Sequence, residues 1–231
     1  MNKTDKIIAQ ARSENRKALL ESEAKEIIKE YGISVPKFQL ATNPKEAAKI
    51  AEETGFPIVA KIVSPEIIHK SDAGGVKVNL KTAADVEAAY TTITENAKKY
   101  NAKANILGVL VMEMAPAGTE VIVGAIKDPQ FGATIMFGLG GIFVEVLKDV
   151  TFKIAPVNVD EAKEMILGLK AAALLKGYRN TPPADIDALA QIIVCVSKLL
   201  MEHPEIKELD LNPVMAYSKG ASTVDARIIL E

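Results

Sequence analysis

Val59-Ala60-Lys61-Ile62-Val63-Ser64-Pro65-Glu66-Ile67-Ile68-His69-Lys70-Ser71-Asp72-Ala73-Gly74-Gly75-Val76 is the stretch around which the chain is arranged. An apolar run, Pro57-Ile58-Val59-Ala60, reads as a strand that delivers Lys61. A polar loop then carries His69, and Gly74-Gly75 restart a strand at Val76-Lys77-Val78. Lysine is a compact point charge suited to phosphates. A Gly-Gly turn lets backbone N–H groups approach an anion closely, and neutral imidazole is a nucleophile able to accept a phosphoryl group. The plainer reading of the same residues is a strand, a solvated loop and a second strand.

On either side, the pattern predicts a strand–helix–strand–strand–helix–strand order. A strand at Val35–Ala41 precedes Asn43-Pro44-Lys45-Glu46, which combines an N-cap, a first-position proline and a capping-box glutamate. That helix runs through Ala47, Ile50 and Ala51 to Gly55. Thr82 caps a second helix with Val86, Ala89, Tyr90, Ile93 and Ala97 on one stripe, and a strand follows at Gly108–Met114. This order indicates an α+β sandwich, with helices on one side of a mostly antiparallel sheet. Residues 1–31 read as two further helices, with Ile7, Ile8 and Ala11 on one face and Ala24, Ile27, Ile28 and Tyr31 on another. Gly32 ends the second.

Past a hinge near Met114–Gly118, strands are expected at Glu120–Lys127, Thr134–Phe137 and Phe152–Val157, with Ile142–Leu147 after a glycine-rich link. Asn158 to Glu161 cap a helix carrying Ala162, Met165, Ile166 and Leu169. Pro182-Pro183 precede a longer helix from Ile186 to Leu200. Three short strands, Ile206–Leu211, Val214–Tyr217 and Thr223–Ile229, end the chain.

At 231 residues the chain is one large domain or two small ones, and 48% hydrophobic with 25% charged residues is ordinary globular composition. A net charge of −2 gives no reason to expect nucleic acid or an anionic membrane surface as a partner. No apolar run reaches the length of a membrane span, and the N-terminus lacks the apolar core of a signal peptide. The single Cys195 lies among Ile192, Ile193, Val194 and Val196, reads as a small hydrophobe, and fits a cytoplasmic protein. The absence of Trp argues against base-stacking platforms. Abundant Lys, Glu and Ile hint at a heat-loving source.

Other clusters carry possible chemistry. Glu113-Met114-Ala115-Pro116 ends a strand at the hinge, where backbone groups can meet an adenine edge, Met114 the ring face, and Glu120 the ribose hydroxyls; the alternative is a solvent-facing strand end. Gly138-Leu139-Gly140-Gly141 lacks the third glycine of a dinucleotide fingerprint, since position 143 is Phe. It is either an anion cradle or a bulge or turn. In Asp210-Leu211-Asn212-Pro213, alternation puts Asp210 and Asn212 on one strand face. Their oxygens, with Asp225, suit Mg²⁺ bridging nucleotide phosphates, against the alternative of an ordinary turn. His203 falls where a helix should end, and capping is its expected role.

These segments resemble the ATP-grasp subunit of ADP-forming acetyl-CoA synthetases (acetate–CoA ligases). The resemblance rests on Pro57–Val78, Glu113–Glu120, Phe137–Glu145 and Glu208–Val214, and spans Ser22 to Ile229. It implies an ATP-grasp fold, two α/β subdomains sandwiching the nucleotide, with N-terminal helices. The boundaries would be 1–22 for a helical extension, 23–114 for the subdomain with the phosphohistidine loop, and 115–231 for the subdomain with the nucleotide and metal site. The implied reaction is acyl-CoA + ADP + phosphate = acid + CoA + ATP, with His69 as phosphoryl carrier and Asp210 fixing its tautomer. Lys61, with Lys70, Gly74 and Gly75 beside it, would hold nucleotide phosphates. Glu113, Met114 and Ala115 would take adenine, Glu120 the ribose, and Asn212 with Asp225 the Mg²⁺. ATP and ADP would be substrates. A larger α subunit would carry CoA and form the acyl phosphate, in an α₂β₂ heterotetramer of the archaeal type. Lys153 stands where arginine is commoner in the family, which leaves its phosphate role open. Two other readings remain: a stand-alone ATP-grasp ligase working through an acyl phosphate, and a nucleotide-sensing module.

Overall fold

A computed structural model of the chain describes residues 2–141, 148–178 and 182–231. The expected segment Ile142–Leu147 lies outside the described residues, as does the end of the Phe137–Glu145 stretch. The fold has two compact units, residues 20–22 with 36–115, and residues 1–19 and 23–35 with 116–231.

The smaller unit follows the expected order. Strands β1 (Phe38–Ala41), β2 (Ile58–Val63), β3 (Val76–Leu80) and β4 (Gly108–Glu113) form an antiparallel sheet in the order β1-β4-β2-β3. Helices α3 (Pro44–Thr54) and α4 (Ala83–Tyr100) close over one face. The period-two alternation of strands decides which residues meet them. Ala60, Ile62, Val109 and Val111 join Ile50, Val86 and Ile93 in the core. The intervening Lys61 therefore points from the other face, opposite Leu110 and Val76. Thr82 and Asp85 form a capping box on α4. On α3, Asn43 accepts from the Glu46 N–H, but the Glu46 carboxylate reaches back to the Thr42 N–H and hydroxyl, one residue before the cap.

The larger unit holds strands β5 (Thr119–Asp128), β6 (Gly132–Leu139), β7 (Val150–Ile154), β8 (Ile206–Ala216), β9 (Ala221–Thr223) and β10 (Ala226–Leu230). They form an antiparallel sheet ordered β10-β8-β5-β6-β7, with β9 on β8. Helices α1 (Lys3–Ser13), α2 (Glu21–Glu30), α5 (Val159–Leu167) and α6 (Ile186–Glu202) contribute to its core, with Ile8, Ile27, Met165 and Ile193 meeting Val123, Phe137, Leu209 and Leu211. On β8 the core side chains are Ile206, Leu209, Leu211, Val214 and Ala216.

Two boundaries differ from the sequence reading. The N-terminal helices are no separate extension, and residues 23–35 do not group with the first sheet. Ile8, Ala11, Ala24, Ile27, Ile28 and Ile33 are all buried in the core of the larger unit, and Lys25 Nζ donates to the Val224 carbonyl at 2.8 Å. The strands expected on either side of Asn212-Pro213 are one strand. The chain passes the proline through a cis peptide and a register shift against β5 between Val121 and Val123, so two residues occupy the place of one.

Candidate functional site

In the smaller unit the loop after β2 is pinned at both ends. Ser64 Oγ donates to Glu66, and the Asn105 N–H meets the same Glu66 carboxylate. These bonds hold Glu66 below the usual carboxylate range, the Ser64 bond most strongly. At the far end Asn96 Nδ2 donates to the Gly74 carbonyl, and the Ile62 N–H to the Gly75 carbonyl. Ile67 and Ala73 are buried, 2% and 5% exposed, whereas His69 between them faces solvent. The imidazole is thus carried outward on a loop whose two ends are fixed.

The glycines serve the loop itself in this conformation. The Gly75 N–H donates to the Lys70 carbonyl at 2.7 Å and that of Gly74 to Ser71 at 3.0 Å. Gly74 has φ +60°, and a side chain on Gly75 would come within 2.5 Å of Ile62 Cγ2. The expectation that these N–H groups stand open to an anion does not match these bonds, because a tight turn uses them up.

Lys61 is buried, and its Nζ lies 2.8 Å from Glu21 Oε1. The second oxygen of Glu21 lies 3.1 Å from Lys70 Nζ, in ion-pair range without hydrogen-bond alignment. One carboxylate, 1% exposed, thus stands between two lysines, one from the strand and one adjacent to His69. The sequence reading did not find Glu21, since it lies forty residues from Lys61 with no periodic relation to it.

At the end of β4 the Glu113 N–H donates to the Lys37 carbonyl and the Met114 N–H to that of Pro57. The Glu113 side chain is exposed, with Met114 and Ala115 half-buried. The sheet has therefore taken up two of the amides that the sequence reading left for a ligand.

In the larger unit Asp210, Asn212 and Asp225 come together. The Asn212 N–H donates to the Asp225 carbonyl at 3.2 Å, and Asp210 is on the same strand, on the face away from the helices. Burial pushes the Asp210 carboxyl above its usual range, Arg227 pulls it back, and Glu208 and Asp225 push it up further. Arg227 donates to Glu208 across β8 and β10. Its own Nε is buried without a hydrogen-bond partner. The sequence reading missed Glu208 and Arg227, although Glu208 lies two residues before Asp210 on the same strand and Arg227 two residues after Asp225. Glu120 is exposed at the start of β5, and Gly140 packs directly on it, donating its N–H to the Glu120 carbonyl at 2.8 Å. A Cβ at Gly140 would sit 2.8 Å from Glu120 Cβ, so this glycine extends strand pairing and its N–H is not turned to an anion cradle.

Lys153 turns to the helix side, 3.0 Å from Glu164 and 3.6 Å from Glu161 of α5, the face opposite Asp210. His203 ends α6, and its ring packs edge-on against Tyr31 at 6.2 Å. A cavity of about 240 Å³ near Gly32, Gln191 and Cys195 includes none of the site residues. Among the described residues no three His, Cys, Asp or Glu side chains form a complete metal site, and no helix is long and apolar enough to cross a membrane.

Two antiparallel sheets with one-sided helices, a lysine on the second strand and acidic oxygens on a late strand define an ATP-grasp protein, and residues 10–230 match the family model described as ATP-grasp domain. The chain is 55% identical over 228 residues to the β subunit of acetate–CoA ligase (ADP-forming) I of Pyrococcus furiosus, covering 99% of this chain and 98% of that one. It is 53% identical to the 4-hydroxybutyrate–CoA ligase (ADP-forming) of Nitrosopumilus maritimus, covering 98% of this chain but only 33% of that longer protein. A solved structure of the dinucleotide-forming acetyl-coenzyme A synthetase 1 of Ca. Korarchaeum cryptofilum superposes with a TM-score of 0.88 at 46% identity, covering 99% of this chain and 100% of that one. That structure is a Se-Met derivative with coenzyme A and Mg-AMPPCP, its phosphohistidine segment pointing towards the nucleotide binding site. The chain belongs to the ATP-grasp family, among the ATP-grasp subunits of ADP-forming acyl-CoA ligases.

Proposed function

We propose that this chain is the phosphoryl-transfer subunit of an ADP-forming acid–CoA ligase, working with a larger subunit that binds CoA and forms the acyl phosphate, in an α₂β₂ assembly. His69 carries the phosphoryl group. In the direction tested below, an imidazole nitrogen lone pair attacks the γ-phosphorus of ATP. An N–P bond forms, the bond to the bridging oxygen breaks, and ADP leaves. Asp210 accepts the N–H of the other ring nitrogen and so keeps the lone pair on the attacking one. Lys61 supplies positive charge to the phosphates. Adenine meets Met114 together with the Glu113 and Met114 carbonyls and the Ala115 N–H, and Glu120 takes the ribose.

Asn212 and Asp225 fit Mg²⁺: they are hard oxygen donors tied together by a backbone hydrogen bond, and too few to enclose an ion without phosphate oxygens and water. Bound there, the ion would neutralise phosphate charge.

The observation that carries this reading is His69, solvent-facing on a loop fixed at both ends and followed directly by a lysine. The test is labelling with γ-labelled ATP. Acid-labile, alkali-stable label on this chain, absent from His69→Asn, is the expected result. Full labelling of His69→Asn would remove His69 from the mechanism. Turnover of acid and ATP by the isolated chain would favour a stand-alone ligase, and tight ATP binding without transfer a sensor.

A further inference from the structure

We propose that Glu21 is a positioning residue that couples nucleotide binding to the histidine loop by dividing its charge between Lys61 and Lys70. The inference rests on the reading above, in which Lys61 binds phosphate and His69 carries it. Glu21 is almost fully buried, Lys61 nearly so, and Lys70 half-buried. The Lys61 contact is the tighter, at 2.8 Å with hydrogen-bond alignment, while Lys70 holds the other oxygen at 3.1 Å without it.

A buried carboxylate draws on whatever cations reach it, because an uncompensated charge in a low-dielectric interior is costly. With no nucleotide, Lys61 satisfies much of that demand, and Lys70 is held loosely. A nucleotide phosphate is a second anion competing for Lys61. As Lys61 turns to it, Glu21 loses counter-charge and draws Lys70 harder. Lys70 is bonded to His69, so the loop is clamped when nucleotide is present and released when it leaves. Linkage makes the effect reciprocal: departure of Lys70 tightens Glu21 on Lys61 and weakens nucleotide binding. The arrangement would hold the loop in place while a nucleotide is bound, and free it otherwise.

The experiment uses the full chain, with ADP as probe, and measures ADP affinity by calorimetry and hydrogen exchange of amides 66–75. In the unaltered chain ADP slows loop exchange. Glu21→Gln binds ADP about fivefold tighter or more, and ADP no longer slows exchange. Lys70→Met binds ADP weaker by a similar factor, and Lys70→Arg restores it. A Lys70 that touched phosphate directly would weaken binding equally in a Glu21→Gln background, so the double variant decides between the two. Loss of the Lys70→Met effect there supports the coupling, and its persistence overturns it, as does loop protection that survives in Glu21→Gln. Should Glu21→Gln not fold, Lys70→Met decides alone: the coupling requires that ADP fail to slow its loop exchange, and protection equal to the unaltered chain overturns it. Labelling of His69 is scored separately. Label without coupling sinks this inference only, whereas absent label sinks the phosphoryl-carrier reading.

Discussion

Arg227 stands opposite Asp210 in the β8–β10 register, yet gives its guanidinium Nη2 to Glu208. Asp210 is thus a partly buried carboxyl whose cross-strand cation is bonded to Glu208, and burial outweighs attraction in setting its pKa.

The first prediction follows from the sign of that shift. A carboxyl whose folded pKa lies above its unfolded value, about 3.9, favours the folded state most while protonated. That contribution is full below the unfolded pKa and is lost as pH rises through the folded one. Asp210→Asn mimics the protonated form. It should match the unaltered chain near pH 3.5 and become more stable above the raised pKa, by about 1 kcal/mol at neutral pH, a usual gain when a site charge is removed. Denaturation midpoints against pH give the measurement, and His69 labelling should fall in the same variant. Equal stability at all pH values would mean that burial does not govern this carboxyl.

Lys61→Met should lower stability by about 3–5 kcal/mol, the usual result of removing one partner of a buried ion pair. Lys61→Met combined with Glu21→Met should recover most of that loss, because the carboxylate left behind is then gone too. Urea unfolding of the two variants checks the difference.

Gly75→Ala should cost about 1–3 kcal/mol, the range for forcing atoms into a packed site. The added methyl meets Ile62 Cγ2 at 2.5 Å and the Lys70 carbonyl at 3.0 Å, so the loop must shift. Slower labelling of His69 should accompany the drop in melting temperature. A variant that melts lower but labels at the normal rate would separate loop geometry from transfer.

Asp225→Asn should raise the Mg²⁺ concentration needed for half-maximal labelling by about tenfold or more, and chelation should stop labelling of the unaltered chain. The backbone carbonyl of Asp225, not its side chain, accepts from Asn212, so that bond does not depend on the carboxylate. An unchanged Mg²⁺ requirement would place the ion elsewhere.

The first sheet was legible because its signals are local. Thr82, Asn43 and Pro44 mark helix starts by their own hydrogen bonds, and the alternation Ala60–Lys61–Ile62 assigns faces without knowledge of the partner strands. The late strand was half legible. Asp210 and Leu211 alternate as expected, but Asn212-Pro213 read as a break because turn residues dominate locally. Pairing with β5 on one side, and with β10 and then β9 on the other, carries the strand through. The Gly-Gly turn was found for the right residues and the wrong reason, since glycine serves both open anion nests and closed loops.

The amino-acid order alone marked most of the strands and helices and their apolar faces, and offered His69, Lys61, Asp210, Asn212 and Asp225 as candidates for phosphoryl transfer. The helical and strand periodicities, about 3.6 and 2 residues, and helix caps are properties of neighbouring residues, so they survive in a bare string. Only the tertiary structure decided that the N-terminal helices belong to the larger core, that Lys61 and Lys70 share Glu21, and that Arg227 turns to Glu208. Those outcomes depend on burial and on charges brought together across tens or hundreds of residues, and Coulomb attraction depends on distance in space, which sequence separation does not encode.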